Sequence, residues 1–210
     1  IQKCFTAIPF VYNWTVRNAF TSSIIKHIMG FAQERTLPTI KPINFEKQLK
    51  KSNPTKEIKK VYLFIDEFSA LQDSQVTEIA IKLFTQLGYK IEIAPINESG
   101  RIPISKGLVR KAKKIAQNNV NKLRDIISEK TPMIGIEPSS LLSFRDEYPS
   151  LISEDISELN KHIYLFDEFF AKEIASNNIT QSQFTETETK ILLHGHCQQK
   201  AIIGGEHMIK

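Results

Sequence analysis

The sequence predicts an α/β fold: a parallel β-α-β sheet flanked by helices, with an N-terminal helical extension. Three short segments, at 61–65, 89–94 and 133–136, are predicted to be strands, and the first is a continuous apolar run typical of a buried parallel strand. The segments between them carry apolar residues at helical spacing. This β-α-β-α-β order predicts right-handed crossovers and strands that all run the same way.

The remaining elements follow from local signals along the chain. Residues 16–31 are predicted to form one helix, and the lysine-rich stretch 45–60 to form a connector. Asp73 and Gly88 are expected to start and end the helix after the first strand, and a long helix is expected from Ser105 to about residue 130. Further along, we predict a helix over the apolar run 163–170, a surface linker over 176–190, a strand over 191–193 and a final helix.

Composition limits the classes of protein that fit. With 210 residues and 41% apolar content, the chain can bury a core without a disulfide or a structural metal. Its 28 basic and 23 acidic residues are interspersed, which argues against nucleic-acid binding. Cys4 and Cys197 lie almost the whole chain apart, so a reducing, cytoplasmic compartment is the easier fit. No apolar run has the length of a membrane span, and a first residue of Ile1 indicates a piece of a longer protein.

The segment 131–149 carries the strongest sign of a functional site. An apolar strand breaks at Glu137 and Pro138 and turns into a helix that Ser139 or Ser140 could cap. Such a strand-to-helix turn is where open α/β folds bind ligands. We therefore expect the turns after Ile65, after Pro95 and after Glu137 to meet at one edge of the sheet.

Two other stretches resemble phosphate-binding sequences. Asp66 and Glu67 follow a buried strand, as the magnesium-binding acid does in P-loop ATPases, but the sequence has no glycine-rich phosphate loop. We interpret them as polar groups at the end of a strand. The loop 97–107 could hold an anion at the start of the long helix through Ser105, although ordinary helix capping explains Ser105 equally well.

Near the end of the chain, His194, His196 and Cys197 form an H-x-H-C pattern. Histidine and cysteine are both ligands of transition metals, and a thiol at the start of a helix gains thiolate character. A free cysteine at a strand end with two histidines nearby is the alternative, and the residues alone leave both open.

Four motifs, taken in chain order, together resemble one family. They are G-F-A-Q-E-R-T-L-P at 30–38, E-S-G-R-I-P-I-S-K-G-L-V at 98–109, G-I-E-P-S-S-L-L-S-F-R-D-E-Y-P at 135–149 and L-H-G-H-C-Q-Q-K-A at 193–201. This pattern is similar to the cysteine-rich domain of FAD-linked, iron–sulfur oxidoreductases of the D-lactate dehydrogenase and glycolate oxidase type. In that family, the first of these motifs joins a ferredoxin-like segment to the cysteine-rich domain.

The resemblance implies a degenerate first site and a partial second one. Glu98, Ser99 and Ser140 stand where relatives carry cysteines, so this half is expected to bind no [4Fe–4S] cluster. Cys197 matches the first ligand of a second iron–sulfur centre, whose other cysteines would lie beyond Lys210. The implied organisation is a helical extension and connector (1–53), a cysteine-lacking first half (54–150), a helical segment and linker (151–190) and the start of a second half (191–210).

The function implied by the resemblance belongs to a longer protein that oxidises a 2-hydroxy acid such as D-lactate or glycolate. This chain would serve as its scaffold and electron-transfer module, with no catalytic residue and no cofactor of its own. FAD and an iron–sulfur cluster would belong to the full-length protein, and the partners would be its FAD-binding domain, its ferredoxin-like domain and an electron acceptor. We expect a cytoplasmic location with no membrane span, or attachment to a membrane surface. The alternative is an α/β interaction domain without redox chemistry that docks partner domains.

Overall fold

The computed structural model describes residues 8–51, 54, 56–187 and 189–209. The strands are β1 (Lys59–Phe64), β2 (Tyr89–Ile93), β3 (Met133–Gly135) and β4 (Ile163–Leu165). The α-helices are α1 (Pro9–Arg17), α2 (Ala19–Met29), α3 (Phe45–Lys51), α4 (Ser74–Gln86), α5 (Arg101–Ser105), α6 (Val109–Leu123), α7 (Pro138–Leu141), α8 (Tyr148–Leu151), α9 (Ser157–Asn160), α10 (Phe166–Ala175) and α11 (Cys197–Ile202). Short 3-10 turns lie at Leu142–Phe144, Gln181–Gln183 and Glu206–Met208.

The four strands form one parallel sheet in the order β2-β1-β3-β4. The predicted α/β fold with a parallel sheet flanked by helices is therefore confirmed. Because the strands are parallel, the loops after β1, β2 and β3 all leave from the carboxyl-terminal edge of the sheet. In α/β folds this edge is where ligands bind.

The core has two layers, one on each face of the sheet. Alternate residues of β1 point to opposite faces: Leu63 packs with Phe84 and Phe169, whereas Phe64 packs with Phe144 and residues of α6. Both faces of the strand are buried, which is the usual condition of a parallel sheet and explains why its sequence is a continuous apolar run.

A buried polar cluster stabilises the other, amino-terminal edge of the sheet. The Glu173 carboxylate accepts hydrogen bonds from Lys59 Nζ at 2.8 Å, Tyr89 Oη at 2.7 Å and Asn178 Nδ2 at 2.9 Å. Burial alone would raise the pKa of Glu173, but the hydrogen bonds from these three groups outweigh it and hold the pKa below its ordinary value. The cluster therefore ties β1 and β2 to α10 through a charged carboxylate.

The run 163–170 is not the single helix that we predicted. Ile163–Leu165 pairs with β3 as the fourth strand, and the helix begins only at Phe166. Ile163 and Leu165 are both buried, and a continuous apolar run shows no period that separates a strand from a helix. Hydrogen-bonded pairing with β3 makes residues 163–165 a strand.

Four other sequence predictions need correction. The strand predicted over 191–193 is wrong, because these residues belong to no helix or strand and their side chains are exposed. The helix predicted over 16–31 is two helices, broken at Asn18, whose side chain caps α2 by accepting from Phe20 N and Thr21 N. Stretch 45–60, predicted as a connector, contains α3 and the start of β1, and the long helix α6 ends at Leu123 instead of near residue 130.

Candidate functional site

Three strand-end loops meet at the carboxyl-terminal edge of the sheet, as the sequence predicted. Glu67 follows β1 and Ser99 follows β2, and the two residues are joined by two hydrogen bonds. The Ser99 hydroxyl donates to Glu67 Oε1 at 3.0 Å, and the Ser99 backbone N–H donates to Glu67 Oε2 at 3.1 Å. Burial raises the pKa of the Asp66 carboxyl, and the charge of Glu137, after β3, raises it further, which places Glu137 near Asp66.

The Ser99 hydroxyl is fully used by the protein itself. Besides donating to Glu67, its oxygen accepts a hydrogen bond from the Arg101 backbone N–H at 3.0 Å. This tight turn passes through Gly100, whose φ of +79° lies in the left-handed region that favours glycine. Ser99 is completely buried, so its side chain fixes the loop and is not open to a ligand.

Tyr148 and Asn119 close the same loop from the other side. The Tyr148 hydroxyl donates to the Ser99 carbonyl at 2.8 Å and accepts from Asn119 Nδ2, also at 2.8 Å. Asn119 Nδ2 also donates to the Glu98 carbonyl at 2.7 Å. Burial raises the pKa of Tyr148 well above its ordinary value, so the phenol stays protonated and remains a donor. We call Glu67, Ser99, Asn119 and Tyr148 the edge network.

The turn after β3 is capped by Glu137 and not by Ser139 or Ser140, which corrects the prediction. Glu137 Oε2 accepts from the Ser140 backbone N–H at 2.6 Å and from the Ser139 hydroxyl at 2.7 Å, and Pro138 occupies the first turn of α7. The next turn lies directly over β3, since a Cβ on Gly135 would come within 2.7 Å of Leu141 Cδ1. Only glycine allows this close approach.

Ser140 is the predicted site residue that the structure leaves with a free polar atom. The side chain is fully buried, and its Oγ has no hydrogen-bond partner among the described residues. A buried hydroxyl without a partner costs free energy. The Ser140 hydroxyl oxygen therefore contributes no hydrogen bond to the packing of the described residues.

Asp66 adds an acidic group beneath this edge. Burial raises the pKa of Asp66, and the neighbouring charge of Glu137 raises it further. Hydrogen bonds from the Ser69 hydroxyl at 2.5 Å and from the Phe68 and Ser69 backbone N–H groups oppose that rise. These local hydrogen bonds hold Asp66 in the turn after β1. From the sequence, we interpreted Asp66 as a polar group at the end of this strand.

Two ion pairs hold the segment that follows α7. Arg101, in α5, pairs with Glu147, and Arg145 pairs with Glu168 of α10 at 2.8 Å. The Arg145 guanidinium also donates to the Ile163 carbonyl. Arg145 and Glu147 therefore tie this segment to α5, β4 and α10.

The loop 97–107 differs from its prediction. Ser105 does not cap the long helix: it ends the short helix α5, and its hydroxyl donates to the Ile102 carbonyl at 2.9 Å. The long helix begins at Val109, after Leu108. The proposal that Ser105 holds an anion at that helix start therefore loses its geometric basis.

Cys197 lies at the start of a helix, as predicted, but without a preceding strand. It is the first residue of α11, it is exposed, and His196 Nδ1 caps the helix by accepting from Gln198 N at 3.3 Å. Helix α11 packs against α7, which places the helix that begins at Cys197 beside the turn that carries Ser140. Within the described ranges, no three His, Cys, Asp or Glu side chains gather as a metal site.

The side chains at this edge do not fit an iron–sulfur cluster. Such a cluster takes four ligands, nearly always thiolates, whereas this edge offers carboxylates and hydroxyls with a single exposed thiol on the adjacent helix. The hydroxyl of Ser99 is already committed to Glu67 and Arg101. Cys4 lies outside the described residues.

Sequence reasoning missed Asn119 and Tyr148. The available signal was that Asn119 interrupts the apolar face of α6, between Ala116 and Val120, which are both buried. A polar residue on the buried face of a helix needs a hydrogen-bond partner. Nothing in the sequence indicated that this partner would be Tyr148, 29 residues further along the chain.

The fold and the edge define the chain as a parallel α/β domain whose strand-end loops are joined by buried hydrogen bonds. It is similar to proteins named D-2-hydroxyglutarate dehydrogenase: to that of Pantoea ananatis at 24% identity over 94% of this chain, and to that of Escherichia coli at 25% identity over 75%. The similarity to the Haemophilus influenzae protein of the same name is 28% over half of the chain. The chain spans only 20% of the length of the first relative and 15% of the second.

No family model matches the chain, and no solved structure matches it. Across the described residues, no helix combines the length and the hydrophobicity needed to cross a membrane.

Proposed function

We propose that this chain is part of a larger FAD-linked dehydrogenase that oxidises a 2-hydroxy acid, and that it acts there as a scaffold and electron-transfer module. The observation that carries the proposal is the alignment over 94% of the chain with a protein named D-2-hydroxyglutarate dehydrogenase. The meeting of the family-like motifs at one sheet edge supports it, because the motif residues Ser99, Glu137 and Ser140 all follow strand ends there.

The names of the relatives bear on the substrate. All four carry the name D-2-hydroxyglutarate dehydrogenase, so D-2-hydroxyglutarate is the first acid to test, with D-lactate and glycolate beside it. The three acids share a carboxylate next to a hydroxyl-bearing carbon. The described residues of this chain supply scaffold contacts, and we assign the oxidation itself to other parts of the longer protein.

For the iron–sulfur role, we propose that Cys197 is one ligand of a centre completed by thiolates that this chain does not contain. Its exposure and its place at the start of α11 leave the sulfur accessible to such a partner. We assign no cluster to the edge formed by Glu98, Ser99 and Ser140, because hydroxyls and carboxylates do not replace four thiolates. We also propose that the partners of this chain are the FAD-binding and ferredoxin-like domains of the same longer protein. We propose a cytoplasmic location for that protein.

A second function is favoured by the edge network itself. Its hydrogen bonds are satisfied within the chain, which suits an α/β interaction domain that docks partner domains and carries no electrons. Iron content separates the two proposals. A full-length protein whose iron content is unchanged by Cys197→Ala fits the interaction domain, whereas a loss of iron fits the electron-transfer module.

The substrate test uses the full-length protein that contains this chain. The protein is mixed anaerobically with D-2-hydroxyglutarate, D-lactate or glycolate. Oxidation of the acid is detected as reduction of an artificial dye acceptor. We expect one of the three acids to drive dye reduction, D-2-hydroxyglutarate first. Dye reduction with none of them, in a preparation that retains flavin, would contradict the proposed function.

A further inference from the structure

The two N-terminal helices present a set of large apolar side chains to solvent. On α1, Phe10 and Trp14 lie four residues apart, and on α2 Phe20, Ile24 and Ile28 repeat at the same spacing, so each helix has an apolar stripe on one face. With Phe31, these side chains are between 45% and 79% exposed. We call these six residues the N-terminal apolar surface. Exposed apolar side chains that cluster in this way usually mark an interaction site.

This surface belongs to a folded part of the chain. On α1, Asn13 exchanges two hydrogen bonds with the backbone of Ile40, at 2.7 and 2.8 Å, and Val16 is buried. On α2, Ser22 is buried and Asn18 caps the first turn. The helices are therefore held by Asn13, Val16 and Ser22, while their apolar stripes remain uncovered. This is the reverse of the usual arrangement of a surface helix.

Charge limits what could cover the surface. No Asp or Glu occurs from residue 8 to residue 33, whereas Arg17 and Lys26 lie within the two helices. Arg17 also lines a shallow cavity of about 390 Å³ with Phe10 and Trp14. A complementary partner would present apolar side chains surrounded by acidic ones.

A second copy of this chain fits poorly. Across a twofold axis the same patch meets itself, so the basic side chains would face basic side chains with no acid between residues 8 and 33 to offset them. A membrane surface fits poorly as well. From residue 8 to residue 33 the sequence has two Lys or Arg residues, Arg17 and Lys26, fewer than the clusters of about four to eight that attract an anionic lipid surface.

We propose that the N-terminal apolar surface docks onto another folded unit of the same longer polypeptide, which presents an apolar patch with an acidic rim. The inference rests on the proposed function, in which this chain is part of a larger dehydrogenase. Its support is the uncovered apolar surface together with the one-fifth share of the Pantoea relative's length that this chain spans. The contact would fix the position of the sheet edge relative to that other unit.

Hydroxyl-radical footprinting of the full-length protein and of the 210-residue chain tests the contact. Trp14 is the single tryptophan of this chain, and with Phe20 it reports on the surface. In the full-length protein we expect modification of both residues to fall about fivefold or more, because the centre of an interface excludes solvent. Val109, 57% exposed on the lysine-rich helix α6, is the internal reference and should be modified equally in both proteins.

A variant pair makes the test specific. Phe20→Ser with Ile28→Ser, at positions 75% and 77% exposed, should restore Trp14 modification in the full-length protein without unfolding it. Ile79→Ser, at a position 63% exposed on α4, is the matched control and should not; it leaves the Val109 reference in place. Equal Trp14 modification in the full-length protein and the 210-residue chain would overturn the proposal. So would protection that appears only at high protein concentration, which indicates a second copy, or only with anionic vesicles, which indicates a membrane.

The same samples separate this inference from the proposed function. Trp14 protection in a protein that oxidises none of the three hydroxy acids supports the docking contact and contradicts the dehydrogenase. Hydroxy-acid oxidation in a protein with unprotected Trp14 supports the dehydrogenase and contradicts the docking contact.

Discussion

Removal of the Tyr148 hydroxyl tests whether the edge network holds the strand-end loops together. In Tyr148→Phe the ring keeps its packing, but the Ser99 carbonyl loses a donor at 2.8 Å and Asn119 Nδ2 loses an acceptor at 2.8 Å. Tyr148 is fully buried, so water does not readily replace the lost partner. Leaving buried polar groups without partners costs about 1–3 kcal/mol, so we expect a loss of about 2 kcal/mol in the free energy of unfolding.

The assays are urea unfolding, which gives the free energy of unfolding, and thermal unfolding of the 210-residue chain, both monitored by circular dichroism. For a protein of this size, a loss of about 2 kcal/mol lowers the melting temperature by about 4–8 °C. Tyr164→Phe is the matched control, because the Tyr164 hydroxyl accepts from Lys172 Nζ at an exposed position, and its loss should change stability by less than about 0.5 kcal/mol. A Tyr148→Phe effect no larger than that of the control would show that the Tyr148 hydroxyl does not hold the strand-end loops together.

Three further predictions concern other parts of the chain. Gly135→Ala should destabilise by about 1–3 kcal/mol in thermal unfolding, because the new methyl meets Leu141 at 2.7 Å; a neutral result would contradict the close packing of α7 on β3. The lowered pKa of Glu173 means that its contribution to stability is present above its unfolded pKa of about 4.3 and is lost as pH falls through the folded pKa. Glu173→Gln should therefore lower the melting temperature at neutral pH and flatten its fall in acid, whereas an unchanged acid limb would remove Glu173 from that role. Cys197→Ala should barely change the melting temperature of the 210-residue chain, because the side chain is exposed; a large loss would show that the thiol is packed.

Iron measurement on the purified 210-residue chain tests a fourth prediction. We expect a colourless protein without stoichiometric iron or sulfide, because one exposed thiol cannot supply four ligands. A brown preparation with stoichiometric iron would contradict the assignment of no cluster to this sheet edge.

The sheet was predictable because β3 and most of β1 are buried apolar runs, whereas in β2 apolar residues alternate with Lys90 and Glu92. The runs that became β1, β2 and β3 contain mostly apolar residues between turn signals, and parallel pairing follows from their alternation with helices. The meeting of the loops at one edge followed in turn, since parallel strands end on the same side. Residues 163–165 were not recognised as a strand because three residues are too few to show a period, and only the ladder to β3 defines them.

The details of the site depended on contacts between distant parts of the chain. The position of the turn after β3 was predicted correctly, but its capping group was not, because serine is the commoner cap. The structure shows instead that the Glu137 carboxylate accepts a hydrogen bond from the Ser140 backbone N–H. Likewise, sequence could place Ser99 after a strand but could not bring Tyr148 to it across 49 residues. The apolar 191–193 run was expected to be a strand on propensity alone. Strand propensity reflects pairing and packing, and the described residues provide no neighbouring strand for it.

Whether Cys197 carries electrons is decided by anaerobic mixing of the full-length protein with D-2-hydroxyglutarate, in wild type and in Cys197→Ala, with flavin absorbance and dye reduction recorded together. We expect the substrate to reduce the flavin in both proteins, and the variant to have less iron and to pass no electrons to the dye. Equal iron content and equal dye reduction in the two proteins would contradict the electron-transfer role and leave the interaction domain as the better account of this chain.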